Sequence, residues 1–135
     1  MIHLDTTFLV DLLRERRRDR FGPASTLLEG LAGDEVLAVS VHAVCECMAG
    51  AMDAAAPAGE HERLCRLCDA LLVAYPDERF AAQYGRLHAH LERIGAAMHA
   101  MDLLIATAAI LDGAPLVTRN ARHFQRISQL DVRSY

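Results

Sequence analysis

Three acids, one amide and one hydroxyl carry the chemistry this sequence can do. Asp5 closes the apolar run Ile2–Asp5. Thr118 closes the run Leu116–Thr118, with Asn120 two residues on. Glu46 stands on the second turn of a helical stretch that starts after Ser40. Asp102 stands in the first turn of another, where the helix dipole favours a carboxylate. In open parallel α/β sheets the ligand lies beyond the carboxyl ends of the strands. On that rule Asp5, Glu46, Asp102, Thr118 and Asn120 gather at one edge. Carboxylates brought together repel each other, and a cation normally accompanies them. An all-oxygen set suits a hard ion, Mg²⁺ or Mn²⁺. Held by one or two carboxylates and several waters, such an ion lowers the pKa of a bound water and neutralises charge on a scissile phosphate. No Ser-His-Asp or Cys-His-Asp pattern competes with the acids. All 14 basic residues are Arg, which excludes a catalytic or Schiff-base lysine.

The elements that must position these groups alternate in kind. After Ile2–Asp5, Thr6 or Thr7 can cap a helix with Leu9, Leu12 and Leu13 on one face, ending in the charged run Arg14–Arg20. Pro23 suits the first turn of a second helix carrying Leu27, Leu28 and Leu31, stopped at Gly33. Val36–Val39 reads as a strand, and Ser40 as the cap of a helix with Val41, Val44, Cys45 and Met48 inward. Met52–Glu60, with Pro57 and Gly59, reads as a loop, and about Glu60 to Cys68 as a helix. Leu71–Tyr75 is a further strand. From Asp77, a stripe of Phe80, Tyr84, Leu87, Leu91 and Ile94 marks a helix closed by Gly95. His99 to Leu111 is another, with Met101, Leu104, Ile105 and Ala108 inward and Gly113 as its stop. Leu116–Thr118 is a fourth strand, and the tail around Val132 supplies a fifth. Strands alternating with helices imply a parallel sheet covered on both faces, a three-layer α/β/α sandwich with four to five strands.

Composition bounds the function. A chain of 135 residues points to one domain, spanning 1–135, able to bury a core without disulfide or metal. Hydrophobic residues at 53% and charged residues at 24% set disorder aside. No apolar run reaches the roughly 20 residues that cross a bilayer. The N-terminal MIHLDTTFLVDLL has Asp5 inside its apolar stretch and no basic leader, unlike a secretory signal, so a cytoplasmic protein is expected. The four cysteines are then reduced rather than a disulfide framework. Net charge −4 argues against coating nucleic acid by bulk charge.

The same residues carry a family likeness. LDTTFLVDLL, with Asp5, SVHAVCECMAG, with Glu46, YGRLHAHLERIGAAMHAMDLLIATAAI, with Asp102, and LVTRNARHFQRI, with Thr118 and Asn120, follow one another along nearly the whole chain. Together they resemble the PIN-domain ribonucleases, and among them the VapC-type toxins of prokaryotic toxin–antitoxin pairs. The resemblance implies a Mg²⁺- or Mn²⁺-dependent endoribonuclease that cuts RNA by water attack. It implies Asp5, Glu46 and Asp102 as metal ligands and catalytic residues, with Asn120 assisting. It also implies a homodimer held inactive by a cognate antitoxin. Many PIN domains have a fourth acid where this chain has Asn120, which lowers the negative charge by one and leaves an amide oxygen to orient a water.

The remaining polar groups have plainer readings beside the functional ones. Thr6 reads first as a helix cap and second as a hydrogen-bond partner of Asp5. Arg119, Arg122 and Arg126 border the proposed site and suit phosphate, or an acidic group of an antitoxin. The run Arg14–Arg20 reads first as a solvated helix end, with Asp11–Arg14 or Glu15–Arg18 paired. His61, Cys65 and Cys68 share a helical face, but a fourth zinc ligand is missing and small packed side chains explain them better. His88 and His90 fall on different faces, and His99 is close enough to Asp102 in sequence to tune it. Two other readings of the acids stand: a receiver-like phosphoacceptor module, against which the missing Lys counts, and a catalytically degenerate PIN fold that only binds a partner.

Overall fold

The computed structural model describes residues 1–135. Its centre is a five-stranded parallel sheet of β1 (Ile2–Leu4), β2 (Leu37–Ser40), β3 (Leu72–Ala74), β4 (Leu116–Val117) and β5 (Val132–Arg133), in the order β3-β2-β1-β4-β5. Seven helices flank it: α1 (Thr6–Arg17), α2 (Pro23–Gly30), α3 (Val41–Met52), α4 (Pro57–Cys68), α5 (Phe80–Arg93), α6 (Ala100–Leu111) and the short α7 (Ala121–Phe124). This is the expected α/β/α sandwich, with the tail completing the sheet.

The strand order decides where chemistry can sit. The chain leaves β1 on one side to build β2 and β3, then returns to the other side for β4 and β5. The reversal opens a crevice at the carboxyl ends of β1 and β4, the place where such sheets hold ligands. Leu4 is level with Val117, so the next residues, Asp5 and Thr118, leave the sheet side by side. Receiver domains use a different order, 2-1-3-4-5, so the phosphoacceptor reading does not match this sheet.

The core joins the strands to one stripe of each long helix. Ile2, Leu4, Val39, Leu116 and Val117 from the sheet pack with Phe8, Leu9 and Leu12 of α1, Leu87 and Leu91 of α5, and Leu103 and Ile105 of α6. His3 is fully buried among them and reaches Asp112 at 2.7 Å through Nε2.

Several boundaries shift for local reasons. Asp5, not Thr6 or Thr7, holds the N-cap position of α1. α2 ends at Gly30 rather than Gly33, because Leu31 already turns to an extended backbone. α4 begins at Pro57, inside the expected loop, since a proline without its N–H fits a helix's first turn. α5 begins at Phe80: the Asp77 carboxylate accepts the Arg79 N–H at 2.9 Å and holds 77–79 as a turn. In α3 the buried residues are Ala43, Cys47 and Ala51, while Cys45 is exposed. That helix is apolar nearly all round, so periodicity alone does not set its phase. α6 likewise buries Leu103 and Ile105–Ala109, with Met101 and Leu104 only half-buried.

Candidate active site

Asp5 anchors the crevice. It is 3% exposed, and no cation pairs with it. Its Oδ2 instead accepts the Thr118 hydroxyl at 2.6 Å and the Thr7 hydroxyl at 2.8 Å. The Thr118 oxygen in turn accepts the Asn120 N–H at 2.9 Å, and the Thr7 oxygen accepts the Arg119 N–H at 3.1 Å. Two hydroxyls thus tie the start of α1 to the loop after β4 and fix the carboxylate before any ligand arrives. Thr6 takes neither expected role, helix cap first or Asp5 partner second: its hydroxyl donates to Glu46 Oε2 at 2.6 Å, linking α1 to α3.

Asp102 completes the acidic edge from the first turn of α6. Burial pushes its carboxyl above the usual carboxylate range; His123 opposes this, while the charges of Asp5 and Glu46 add to it and His99 opposes it again. Asp102 on α6 is therefore near enough to Asp5, just after β1, and to Glu46 on α3 for its pKa to be raised by both. His123 Nδ1 lies 3.0 Å from Asp102 Oδ2, off the hydrogen-bond line and with no other partner. His99 caps α6 by accepting the Met101 N–H at 3.4 Å through Nδ1. Asn120 is exposed at the N-cap of α7, where its side chain makes no capping bond.

The donor chemistry suits a divalent cation. Asp5 and Glu46 are held by hydroxyls alone, so their negative charge is uncompensated by any Arg. No three Asp, Glu, His or Cys side chains close around a common point. The three acids stand along one edge rather than closed around one point.

Comparison with known proteins agrees with this geometry. The family model of the PIN domain matches residues 2–130. The chain belongs to the PIN domain family. This PIN domain is 27% identical over 135 residues to "Ribonuclease VapC1" of Methanocaldococcus jannaschii, covering 99% of this chain and 86% of that protein. It is 30% identical over 108 residues to "Ribonuclease VapC2" of Rickettsia felis, covering 80% and 81%. Among solved structures it is similar to VapBC2 of Rickettsia felis bound to a promoter DNA fragment, with TM-score 0.88, 27% identity and coverage of 100% and 99%. It is also similar to VapBC-1 of nontypeable Haemophilus influenzae, with TM-score 0.85, 27% identity and coverage of 99% and 98%.

In this PIN domain the three arginines near the site differ. Arg119 turns to Asp11, with Nη1 at 2.8 and 2.9 Å from its two oxygens, and Arg126 donates to the Ala97 carbonyl at 3.3 Å. Arg122 is exposed. Beside Glu46 and Thr6 a groove of 480 Å³ runs between α1, α3 and α4, floored by Val10, Leu13, Ala51 and Leu64 and edged by Arg14 and Arg17. His61 Nε2 and Cys65 Sγ are 3.6 Å apart, and no zinc cage forms around them. Burial lifts the Cys68 thiol above its usual range and the Cys47 thiol to about 12, so both are packed thiols rather than nucleophiles.

From the sequence Thr7 reads only as a helix cap, and His123 is not singled out. Thr7 stands two residues after a strand-ending acid, a spacing at which a hydroxyl folds back on a carboxylate, and that signal was available. His123 sits on a four-residue helix too short to show periodicity.

Proposed function

We propose that this PIN domain is a metal-dependent endoribonuclease that hydrolyses RNA phosphodiester bonds, and the toxin of a toxin–antitoxin pair. The observation that carries the reading is the buried Asp5 at the β1–β4 crevice, held by hydroxyls with no cationic side chain to neutralise it, on the same edge as Glu46 and Asp102. The kinship with proteins named ribonuclease VapC supports it. In this reading Asp5, Glu46 and Asp102 hold Mg²⁺ or Mn²⁺. The ion supplies Lewis-acid charge at the phosphate and a water of lowered pKa.

The chain's own residues do the rest. Thr118 and Thr7 keep the Asp5 carboxylate in one orientation, and Thr6 does the same for Glu46. Such supporting hydrogen bonds hold ligands where an ion needs them. Asn120, exposed beside Thr118, offers an amide oxygen to a water or to substrate without adding charge. His123 and His99 stand beside Asp102 and oppose the rise in its pKa. The antitoxin partner is inferred from the VapBC complexes that the fold matches, and a homodimer belongs to the same inference. The apolar groove beside Glu46 is a surface of the right character for an antitoxin segment.

The test is cleavage of a mixed single-stranded RNA by antitoxin-free protein. Cleavage is expected in Mg²⁺ or Mn²⁺ and absent in EDTA. Asp5→Ala should lower the rate at least about 100-fold, the loss expected when a metal ligand is removed. Asp5→Asn keeps an acceptor for both hydroxyls and removes only the charge, and should lose as much with an unchanged circular dichroism spectrum. Metal-independent cleavage, or full activity in Asp5→Asn, overturns the reading.

A further inference from the structure

The far end of α1 builds a second charged place. Its last turns and the chain that follows enclose a cleft of 460 Å³, lined by Arg14, Arg18, Arg20 and Arg119, with Phe21 and Tyr135 as flat walls. Two acids share the lining, and both are engaged elsewhere. Asp11 accepts Arg119 and the Tyr135 hydroxyl, each at 2.8 Å. Glu15 accepts the Ser25 hydroxyl at 2.6 Å and the Ser25 and Ala24 N–H groups at 2.9 and 3.1 Å. Arg18 and Arg20 make no ion pair, and Arg14 reaches Asp11 only at 3.7 Å. Phe21 is 64% exposed. In a chain of net charge −4, a cleft with four cations against two occupied acids is a local feature, not a consequence of overall charge.

An anion that repeats along a chain and carries flat apolar groups fits this lining. Guanidinium groups take phosphate oxygens through paired N–H donors. An exposed aromatic face takes a base by stacking, whatever the base. Arg119 links the cleft to the acidic edge. The Arg119 backbone N–H donates at 3.1 Å to the Thr7 hydroxyl that holds Asp5, while its side chain lines the cleft. One residue therefore touches both places.

We propose that this cleft binds the single-stranded RNA that flanks the scissile bond, with phosphates on Arg14, Arg18 and Arg20 and a base stacked on Phe21. The proposal rests on RNA being the substrate, and its test is independent of cleavage. Binding of a fluorescein-labelled 12-nucleotide single-stranded RNA of mixed sequence to the full chain is followed by polarisation in EDTA. The double variant Arg18→Ala/Arg20→Ala should bind about 10-fold more weakly and flatten the log–log salt dependence by about 1.4, two single-strand phosphates' worth. Phe21→Ala should bind at least about 5-fold more weakly, as loss of one stacked base requires. Arg63→Ala/Arg66→Ala removes the same charge from α4 and should change binding less than about 2-fold. Ultraviolet cross-linking of a 4-thiouridine RNA to the wild-type chain should mark the peptide containing Phe21.

Wild-type affinity in Phe21→Ala, or equal losses in the two double variants, overturns the proposal. So does absence of RNA binding by the wild type, and so does tight binding of a poly-glutamate peptide that RNA does not displace, which would make the cleft a protein contact. A protein that binds as described yet cuts no RNA in Mg²⁺ or Mn²⁺ supports the cleft and counts against the nuclease reading instead.

Discussion

The two ends of α1 are both charged, and they solve the charge in opposite ways. At its start, Asp5 is buried and held by the Thr7 and Thr118 hydroxyls, with no Arg paired to it or to Glu46, while His123 stands beside Asp102. At its end, about 18 Å away along 12 residues, arginines stand exposed while the nearby acids serve the fold. The macrodipole suits both arrangements, since a helix favours anions at its first turn and cations at its last. A buried acid held by hydroxyls rather than by a cation keeps its charge, in a fixed orientation, available to a ligand. A solvated cluster of the other sign gains its meaning from what lines it.

The largest expected effect that would separate the ends is at the acidic one. Thr118→Val removes the donor to Asp5 and the acceptor of the Asn120 N–H. RNA cleavage should fall about 10- to 100-fold, the usual cost of losing a group that orients a ligand. Stability should fall by about 1–2 kcal/mol as buried partners lose their bond, read by thermal denaturation. If cleavage drops no further than stability explains, the hydroxyl is only a structural pin.

A smaller effect belongs to the other end. Burial works against the Glu15 charge, but the Ser25 hydroxyl and the Ser25 and Ala24 N–H groups together hold its carboxyl below the usual range. A depressed folded pKa contributes stability above the unfolded value near 4.5, and loses it as the pH falls through the folded one. Glu15→Gln should cost about 0.5–1 kcal/mol at pH 7, the scale of a helix cap. The gap between variant and wild type should close in denaturation series taken below pH 4.5. A gap that stays constant with pH would mean that the charge contributes nothing to the cap. Gly22→Ala acts on the same carboxylate with less force. A Cβ there would collide with Glu15 Oε1, pushing it off α2 for a loss of about 0.5 kcal/mol, visible as a small drop in melting temperature.

Much of the fold was legible from the chain. Short β-branched or Leu-rich runs bounded by Gly and Pro marked the strands, and the leucines at helical spacing in α1 and α5 marked the core stripes. Asp5 and Thr118 could be placed at one edge because each ends a strand of a parallel sheet. The phase of α3 was not legible. Its residues are apolar on most sides, and packing rather than periodicity turned Cys47 inward and Cys45 out. Nor was the assignment of Glu15 to α2, or of Arg119 to Asp11: short-range charge pairing suggested Arg18 and a phosphate, and tertiary contacts preferred other partners.

The sequence by itself determined the alternation of elements and the family, and it specified which oxygen groups end the strands. These follow from hydrophobic period and residue type, which are local. Only the tertiary structure decided which hydroxyl holds which acid, that His123 stands beside Asp102, and that the arginines after α1 frame a cleft rather than a featureless solvated end. Those facts depend on distances between residues far apart in the chain, set by strand order and helix packing, on which local patterning carries no information.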